Sequence, residues 1–460
     1  VGQQITVRLS VSNAGQATAA NVIPYLTTIG DASSLSYVSG PLPASANIAS
    51  GQTAVYTWVY NTTGAGTVSF YLEVSGQDAN SGSPVDAEAI TTSNILIQSP
   101  ASLNVSLLMP ATVTYGQHYL IRMVVSNTGT AAANNVVPAN PFRNLSSVGT
   151  SIRWDGPTPS SANINGGSLS VFTWTYSASG TGNINYTSTA SGTDANSGLV
   201  KTSNTASASV LVQQAVSLTT SITASPSTAK TGSQLTVVAQ VSNATGSATA
   251  VNVSITPRDL GKILAGADTG AFVMPSPVSR TVAGGSSVSF TWLYSLGSGV
   301  GTLSFTGTAI GQDSNTGWFV QSGQALSNEV GVQASAVLAN GIAAEPMNAS
   351  VGQVITVYLT VTNDGGAVCY LTNAAPNLVI TNSGSGNASK LVIDGGPQPS
   401  NVTLTAAGTG YQTFTYRYQA TQAGTIWFSG NASGIDPVFG TVSSPLVNTG
   451  AITIQNAAAL

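Results

Sequence analysis

Charge is scarce in this chain. Lys and Arg number 11, Asp and Glu 15 and His one, so charged residues make up 6% of 460 and the net charge is -4. An ordinary globular chain carries about 25% charged residues. Eleven basic side chains cannot build the face that neutralises nucleic-acid phosphates. A coiled coil is excluded as well, because its flanking positions need charge. The single cysteine, Cys369, excludes an intramolecular disulfide and reads as a small apolar residue of a strand. The single histidine, His118, leaves no base for a serine- or cysteine-type hydrolase and reads as a strand-surface residue. Zinc would need three or four Cys, His or carboxylate ligands, which the sequence cannot gather. No apolar run reaches the ~18 residues of a membrane span. No basic segment followed by an apolar one opens the chain, and Val1 reads as the start of a mature or trimmed product. Helical spacing never persists beyond about two turns. What remains is 42% hydrophobic residues, enough for a core, with Ser, Thr, Asn, Gln and 49 Gly making most of the rest. The surface must therefore be hydroxyl and amide rather than ionic.

Self-comparison supplies the organisation. A Gly followed by Gln or Ser-Gln recurs at positions 2, 116, 232 and 352, in steps of 114, 116 and 120. Nine residues after each glycine comes a second marker: Val11-Ser12-Asn13, Val125-Ser126-Asn127, Val241-Ser242-Asn243 and Val361-Thr362-Asn363. Then follow a Pro-x-Pro (41/43, 157/159, 275/277, 397/399) and an alternating aromatic run. That run is Tyr56-Thr57-Trp58-Val59-Tyr60, with counterparts centred on Trp174, Trp292 and Tyr416. Four markers in one order, four times, make the chain a tandem repeat. We expect domains at 1–113 (lacking its first strand), 114–230, 231–350 and 351–460.

Within a repeat the period is two. Ile5, Val7, Leu9 and Val11 share one face, as do Tyr56, Trp58 and Tyr60. Val, Thr and aromatics fill these runs, and Gly, Asn, Ser and Pro punctuate them. The first repeat reads as strands near 4–13, 20–28, 34–40, 53–61, 66–76 and 87–98. Each later repeat is led in by a further strand, at 103–113, 216–230 and 337–350. About seven strands in ~115 residues is the count of an immunoglobulin-like sandwich. The expected fold is all-β: four tandem immunoglobulin-like β-sandwich modules in a rod, with the repeated tryptophans in or beside each core.

The run Val125-Ser126-Asn127-Thr128-Gly129-Thr130-Ala131, followed by Asn135-Val136-Val137-Pro138, resembles the signature of CARDB-type and related conserved-repeat domains. Those are immunoglobulin-like modules of bacterial and archaeal surface proteins. The resemblance covers all four repeats but rests on turn and strand residues. It implies fold and location, in extracellular rods, stalks, surface layers or filaments, and no chemistry. The fourth repeat departs from it, because Val368-Cys369-Tyr370 interrupts the Ala-rich turn.

The segment 452–460 aligns with 95–103, so the sequence stops where a further leading strand would begin. Two expectations follow. The preferred one is a window of a longer array; the alternative is a strand lent by a neighbouring subunit, as in donor-strand filaments.

One polar motif recurs: Gly-x-Asp-x-Asn-Ser/Thr-Gly, with Asp78 and Asn80, Asp194 and Asn196, and Asp313 and Asn315. In the fourth repeat it decays to Gly434-x-Asp436-Pro437. Oxygens at alternate positions are candidates for calcium, but a lone carboxylate without a closing Glu is a poor site. The preferred reading is a turn in which Asp caps its own backbone. Glu73, Asp86 and Glu88 lack recurring counterparts, so paired-acid glycoside hydrolysis is not expected. No phosphate loop occurs. The lysines do not recur in register, so isopeptide cross-links are not expected either. Candidate N-glycosylation acceptors are Asn61, Asn104, Asn144, Asn185, Asn243, Asn252, Asn348, Asn387, Asn401 and Asn431.

The sequence thus reads as a non-enzymatic structural subunit of an extracellular, cell-surface filament or array. No cofactor is expected beyond the calcium candidate. Its expected partner is itself, end to end or laterally, because low charge removes repulsion between copies. The alternatives are an adhesin or glycan-binding stalk using loops such as 29–40 and 258–274, or an accessory array of a larger secreted protein.

Overall fold

The computed structural model describes residues 1–143, 147–371, 377–382, 391–400, 402–406 and 410–459. The chain is all-β, built almost entirely of antiparallel sheets, with one three-residue 3-10 turn among the described residues, at Ala32–Ser34. It divides into two compact units, Val1–Ala215 and Val216–Leu460.

In the first unit, buried hydrophobics gather in two clusters, one around Trp58 and one around Trp174. In the Trp174 cluster one sheet runs in the order Thr150–Thr158, Leu169–Gly180, His118–Asn127, Leu103–Leu108. Opposite lie the strands Thr112–Thr114, Ala206–Gln213, Gly182–Ser188 and Phe142–Arg143, and a second group centred on Ala133–Pro138 and Ala190–Asp194. Around Trp58 the corresponding sheet has three strands, in the order Gln4–Ser12, Thr53–Thr62, Leu35–Leu42. The second unit holds two further clusters, around Trp292 and around Tyr416. Their sheets repeat the four-stranded order, with leading strands Leu218–Ser225 and Leu338–Glu345 at the edge.

The period-two reading holds at the level of side chains. Phe172, Trp174 and Tyr176 are buried while Thr173 and Thr175 between them are not. The indole of Trp174 donates to Asn140 Oδ1 at 3.0 Å, and that of Trp292 to the Arg258 carbonyl at 2.8 Å, so both polar handles are satisfied inside the core. Gly156 crosses directly over this strand at φ 101, where a Cβ would stand 2.6 Å from the Thr173 carbonyl oxygen. That close approach explains why glycine precedes the Pro-x-Pro here. Cys369 is fully buried opposite Leu404, and burial, with the nearby Asp436 carboxylate, pushes its thiol pKa up.

Four sequence expectations need correction. The segment 87–98 is two strands, Pro84–Thr91 and Ile95–Ile97, and a short strand at Ala46–Ile48 escapes the pattern because three residues carry no period. Each leading segment is also two strands. Leu103–Leu108 pairs antiparallel in one sheet and Thr112–Thr114 pairs parallel with Ala206–Gln213 in the other. The break falls at Pro110, and at Pro226 and Pro346 in the second unit; proline offers no N–H to continue a ladder. Because the leading strand pairs with the strand that follows it, the joins drawn at 114, 231 and 351 cut through paired strands. The cores run instead from Ala101 to Val212, Val216 to Val332 and Ala336 to Ile454. The stretches 29–40 and 258–274, read as loops, are largely strand: Leu35–Leu42 pairs with Thr53–Thr62, and Ala250–Ala265 runs along Gly301–Asp313.

Candidate functional site

The two polar markers of the repeat meet at one place. In the second repeat the backbone N–H of Ala101 donates to Asp194 Oδ2 at 2.6 Å, and the next N–H, of Ser102, donates to Asn127 Oδ1 at 3.0 Å. The third repeat sets Val216 on Asp313 at 3.2 Å and Ser217 on Asn243 at 3.2 Å. The fourth sets Ala336 on Asp436 at 2.9 Å and Val337 on Asn363 at 3.2 Å. Two side chains thus clamp two consecutive N–H groups of each leading strand where it enters its own sandwich. All six clamp side chains are buried, at 2% exposure or less.

Local geometry explains why these residue types are used. The asparagine ends the marker strand, and its Nδ2 bridges the turn and the opposite sheet: Asn127 donates to the Ala131 carbonyl at 2.8 Å and the Ile164 carbonyl at 3.1 Å. Asn243 and Asn363 repeat this bridge. Only an amide can donate in two directions and still accept on its oxygen. The aspartate uses its other oxygen on its own turn, where Asp194 Oδ1 accepts from Asn196 N at 3.1 Å, Ser197 N at 2.7 Å and Ser197 Oγ at 2.8 Å. Burial alone would raise the pKa of this carboxyl. The hydrogen bonds, led by the Ala101 N–H, outweigh burial and hold it down to about 2.

A cation at Asp194 would have to displace four donors. Among the described residues no cluster of three or more His, Cys, Asp or Glu is arranged to hold a metal. We expect a chelator to leave the melting temperature of the purified chain unchanged. A calcium-dependent rise abolished by Asp194→Asn would reassign the turn as an ion site.

The first repeat carries the same two residues in a different state. Asn13 donates to the Ala17 carbonyl at 2.7 Å and the Ile48 carbonyl at 2.9 Å, and Asp78 Oδ1 caps Asn80 N at 2.9 Å and Ser81 N at 2.8 Å. Those hydrogen bonds hold the Asp78 carboxyl below its usual range. Both side chains are half-buried rather than buried. Among the described residues no strand pairs with the outer edge of Gln4–Ser12. Beside that edge lies a groove of about 430 Å³, lined by Val11, Asn13, Gly15, Ile48, Val74 and Asp78.

No protein-family model matches the chain, the CARDB type included, and no curated protein matches it. Among solved structures, the Escherichia coli adhesin FdeC aligns at 12% identity over 78% of this chain and 100% of its own, with a TM-score of 0.27. The C-terminal domain of AspA, an antigen I/II-family protein of Streptococcus pyogenes, aligns at 10% identity over 51% of this chain and 99% of its own, with a TM-score of 0.19. An Escherichia coli alpha-2-macroglobulin aligns at 13% identity over 99% of this chain and 43% of its own, with a TM-score of 0.18. Likenesses at this level assign neither activity nor partner.

The remaining sequence candidates scatter. His118 lies on the surface with its ring edge-on to Trp154, the centroids 5.0 Å apart. Of the glycosylation candidates, Asn61, Asn104, Asn185, Asn252 and Asn348 are exposed and Asn431 is half-buried. Asn243 is a correction: it is 2% exposed and its amide nitrogen is spent on the Ala248 and Val282 carbonyls, so it offers nothing to a glycan. Asn144, Asn387 and Asn401 lie outside the described residues. The clamp itself was half-legible. Both residues stood out as markers, but their convergence on the leading strand did not. One signal was available: the fourth repeat loses the asparagine two places on, at Val438, yet retains Asp436. An aspartate that outlasts the rest of its turn motif has a second task.

Proposed function

We propose that the chain is a non-enzymatic structural element of an extracellular filament or surface array, assembling with copies of itself. The carrying observation is the join within the first unit. Only Gln98, Ser99 and Pro100 separate the last strand of the first repeat, Ile95–Ile97, from the clamped Ala101. Gln98 is tied to the second repeat, and the first repeat bonds to that same contact point. Gln98 Nε2 donates to the Thr130 carbonyl at 2.8 Å, Asn196 Nδ2 donates to Gln98 Oε1 at 2.9 Å, and Gln3 Nε2 donates to the Asn196 carbonyl at 2.7 Å. A three-residue connection bonded to the second repeat, beside a direct Gln3–Asn196 bond between the two repeats, is a coupling, not a flexible linker. Low charge and a hydroxyl-rich surface suit close contact between copies, and the exposed acceptor asparagines suit an extracellular setting.

A second reading, an adhesive or glycan-binding stalk, is favoured by the indoles of Trp154 and Trp318, exposed at 72% and 73%. Negative-stain microscopy of the purified chain at micromolar concentration separates the two. Ordered polymers are the expected result. Dispersed particles at every concentration, with retention on a glycan array lost in Trp318→Ala, would overturn the filament reading in favour of the stalk.

A further inference from the structure

The second repeat departs from the third and fourth where its leading segment leaves the sheet. From the first leucine of that segment to the marker glycine is 13 positions in the second repeat, Leu103 to Gly116, and 14 in the others, Leu218 to Gly232 and Leu338 to Gly352. The shorter segment quits the ladder earlier. Its last pair is Leu108 with Arg122, whereas the pairing runs on to Ser225 with Thr236 and to Glu345 with Thr356. His118, Tyr119, Leu120 and Ile121 are thereby left without a strand on that edge among the described residues. The third repeat leaves only Gln234 and Leu235, and the fourth Val354 and Ile355. A cleft of about 480 Å³ lies at the longer gap, walled by Leu108 and Met109 and lined by His118, Leu120 and Arg122. We propose that this cleft is a binding site for an acidic oligosaccharide, with Arg122 taking a sugar carboxylate and Trp154 the face of a sugar ring.

The side chains that meet here are particular to this repeat. At the positions of His118, Leu120 and Arg122 the first repeat carries Gln4, Thr6 and Arg8, the third Gln234, Thr236 and Val238, and the fourth Val354, Thr356 and Tyr358. In a chain with one histidine and 11 Lys and Arg, an imidazole and a guanidinium thus share one strand face. Among the described residues no carboxylate lines the cleft. Arg122 is exposed and pairs with no described carboxylate. By register Asp155 stands beyond Thr175 from Leu120, on the far strand. The planar fork of an arginine grips a carboxylate through two parallel hydrogen bonds, so an acidic ligand complements the site in both charge and shape.

Trp154 supplies the ring face. The strand Thr150–Thr158 pairs Arg153 with Tyr176 and Asp155 with Thr175, and Trp154 is the residue left over between them. A bulge of this kind re-aims its side chain. The indole meets the ring of His118 edge-on, across Ser177, which is the partner of both Ile152 and His118. Most of the indole stays exposed. Its face is the negative side of the ring quadrupole and attracts the outward C–H groups of a sugar ring. Four strand steps of ~3.3 Å put His118 about 13 Å from Arg122, so platform and guanidinium together span more than one sugar.

An acidic peptide is the rival occupant, because an unpaired strand edge also accepts a peptide strand. The fold argues against it. The chain that leaves the sheet at Leu108 returns to it at His118, after Thr112–Thr114 has joined the other sheet and the Thr114 N–H has bonded to Gln117 Oε1 at 2.8 Å. That return shuts the gap at both ends, so an extended strand cannot run through it. A short row of rings can lie along it.

The inference goes beyond the assembly reading and takes from the stalk reading only the class of ligand. Isothermal titration calorimetry of the full chain with tetragalacturonate should show saturable 1:1 binding that weakens as salt is raised. Affinity should fall at least about tenfold in Arg122→Gln and for the methyl-esterified tetrasaccharide, since each removes a charge-assisted contact. Trp154→Ala should lose a similar factor, and Trp318→Ala should bind like the native chain. Both cleft side chains are exposed, and thermal scans confirm that the variants remain folded. Absence of binding, or unchanged affinity in Arg122→Gln and Trp154→Ala together, overturns the proposal. So does tetraglutamate binding more tightly than tetragalacturonate, which hands the cleft to an acidic peptide. Retention on a glycan array that depends on Trp318 alone keeps the stalk and removes this site. Ordered polymers that bind tetragalacturonate through Arg122 and Trp154 keep the site and remove the stalk.

Discussion

Trp174→Ala is expected to be the most damaging single truncation in the chain. The side chain is fully buried between the two faces of its repeat, and its indole N–H is bonded to Asn140. Removing a buried ring of this size costs about 3–5 kcal/mol through lost burial and the cavity left behind. Asn140 Oδ1 also loses its donor. Calorimetry of the full chain should show one transition falling while transitions from Val216 onward hold their temperature, since no described core of that unit includes Trp174. An unchanged thermogram would show that the ring is not a core residue.

Asp194→Ala should come second, at roughly 3 kcal/mol, because it strands the buried Ala101 N–H and removes the cap on the exposed Asn196 and Ser197 N–H groups of its turn. Asp78→Ala removes only a turn cap and should cost markedly less, although the sequence motif is the same. Equal losses at the two positions would show that the clamp adds nothing to the turn. The contribution of Asp194 is also pH-dependent. Its folded pKa, about 2, lies below the ordinary value of 3.8. The stabilisation is therefore complete above the unfolded value and is lost as pH falls from about 4 towards 2. Acid titration of the melting temperature, compared between the native chain and Asp194→Asn, reads this difference directly.

The fold was legible because alternation survives in the marker and aromatic strands of the repeats. Tyr56-Thr57-Trp58-Val59-Tyr60 announces its own buried face, and the wide spacing of its repeats announces the tandem array. What escaped was set by tertiary contact. Ala46–Ile48 is too short to show a period. The break at Pro110 could be read only once the two sheets were known, since the proline stands where the chain changes partner. The clamp escaped because Asn127 and Asp194 lie 67 residues apart, and each has a sufficient local explanation as a turn residue. Asn243 looked like a glycan acceptor for the same reason: a three-residue motif says nothing about which amides the core has already taken.

The parallel pairing of each leading segment carries a mechanical consequence. Thr112–Thr114 runs alongside Leu211–Gln213 in the same direction, Thr228–Lys230 alongside Gly331–Gln333, and Asn348–Ser350 alongside Thr453–Gln455. These are the early and late strands of a repeat, the ones through which a pull along the polypeptide arrives and leaves. Tension draws two parallel strands in opposite directions along their own length. It loads all the hydrogen bonds between them at once, in shear, rather than peeling them one at a time from an end. Each of these three repeats should therefore resist stretching up to a threshold and then yield abruptly, a force response suited to holding rather than to extending.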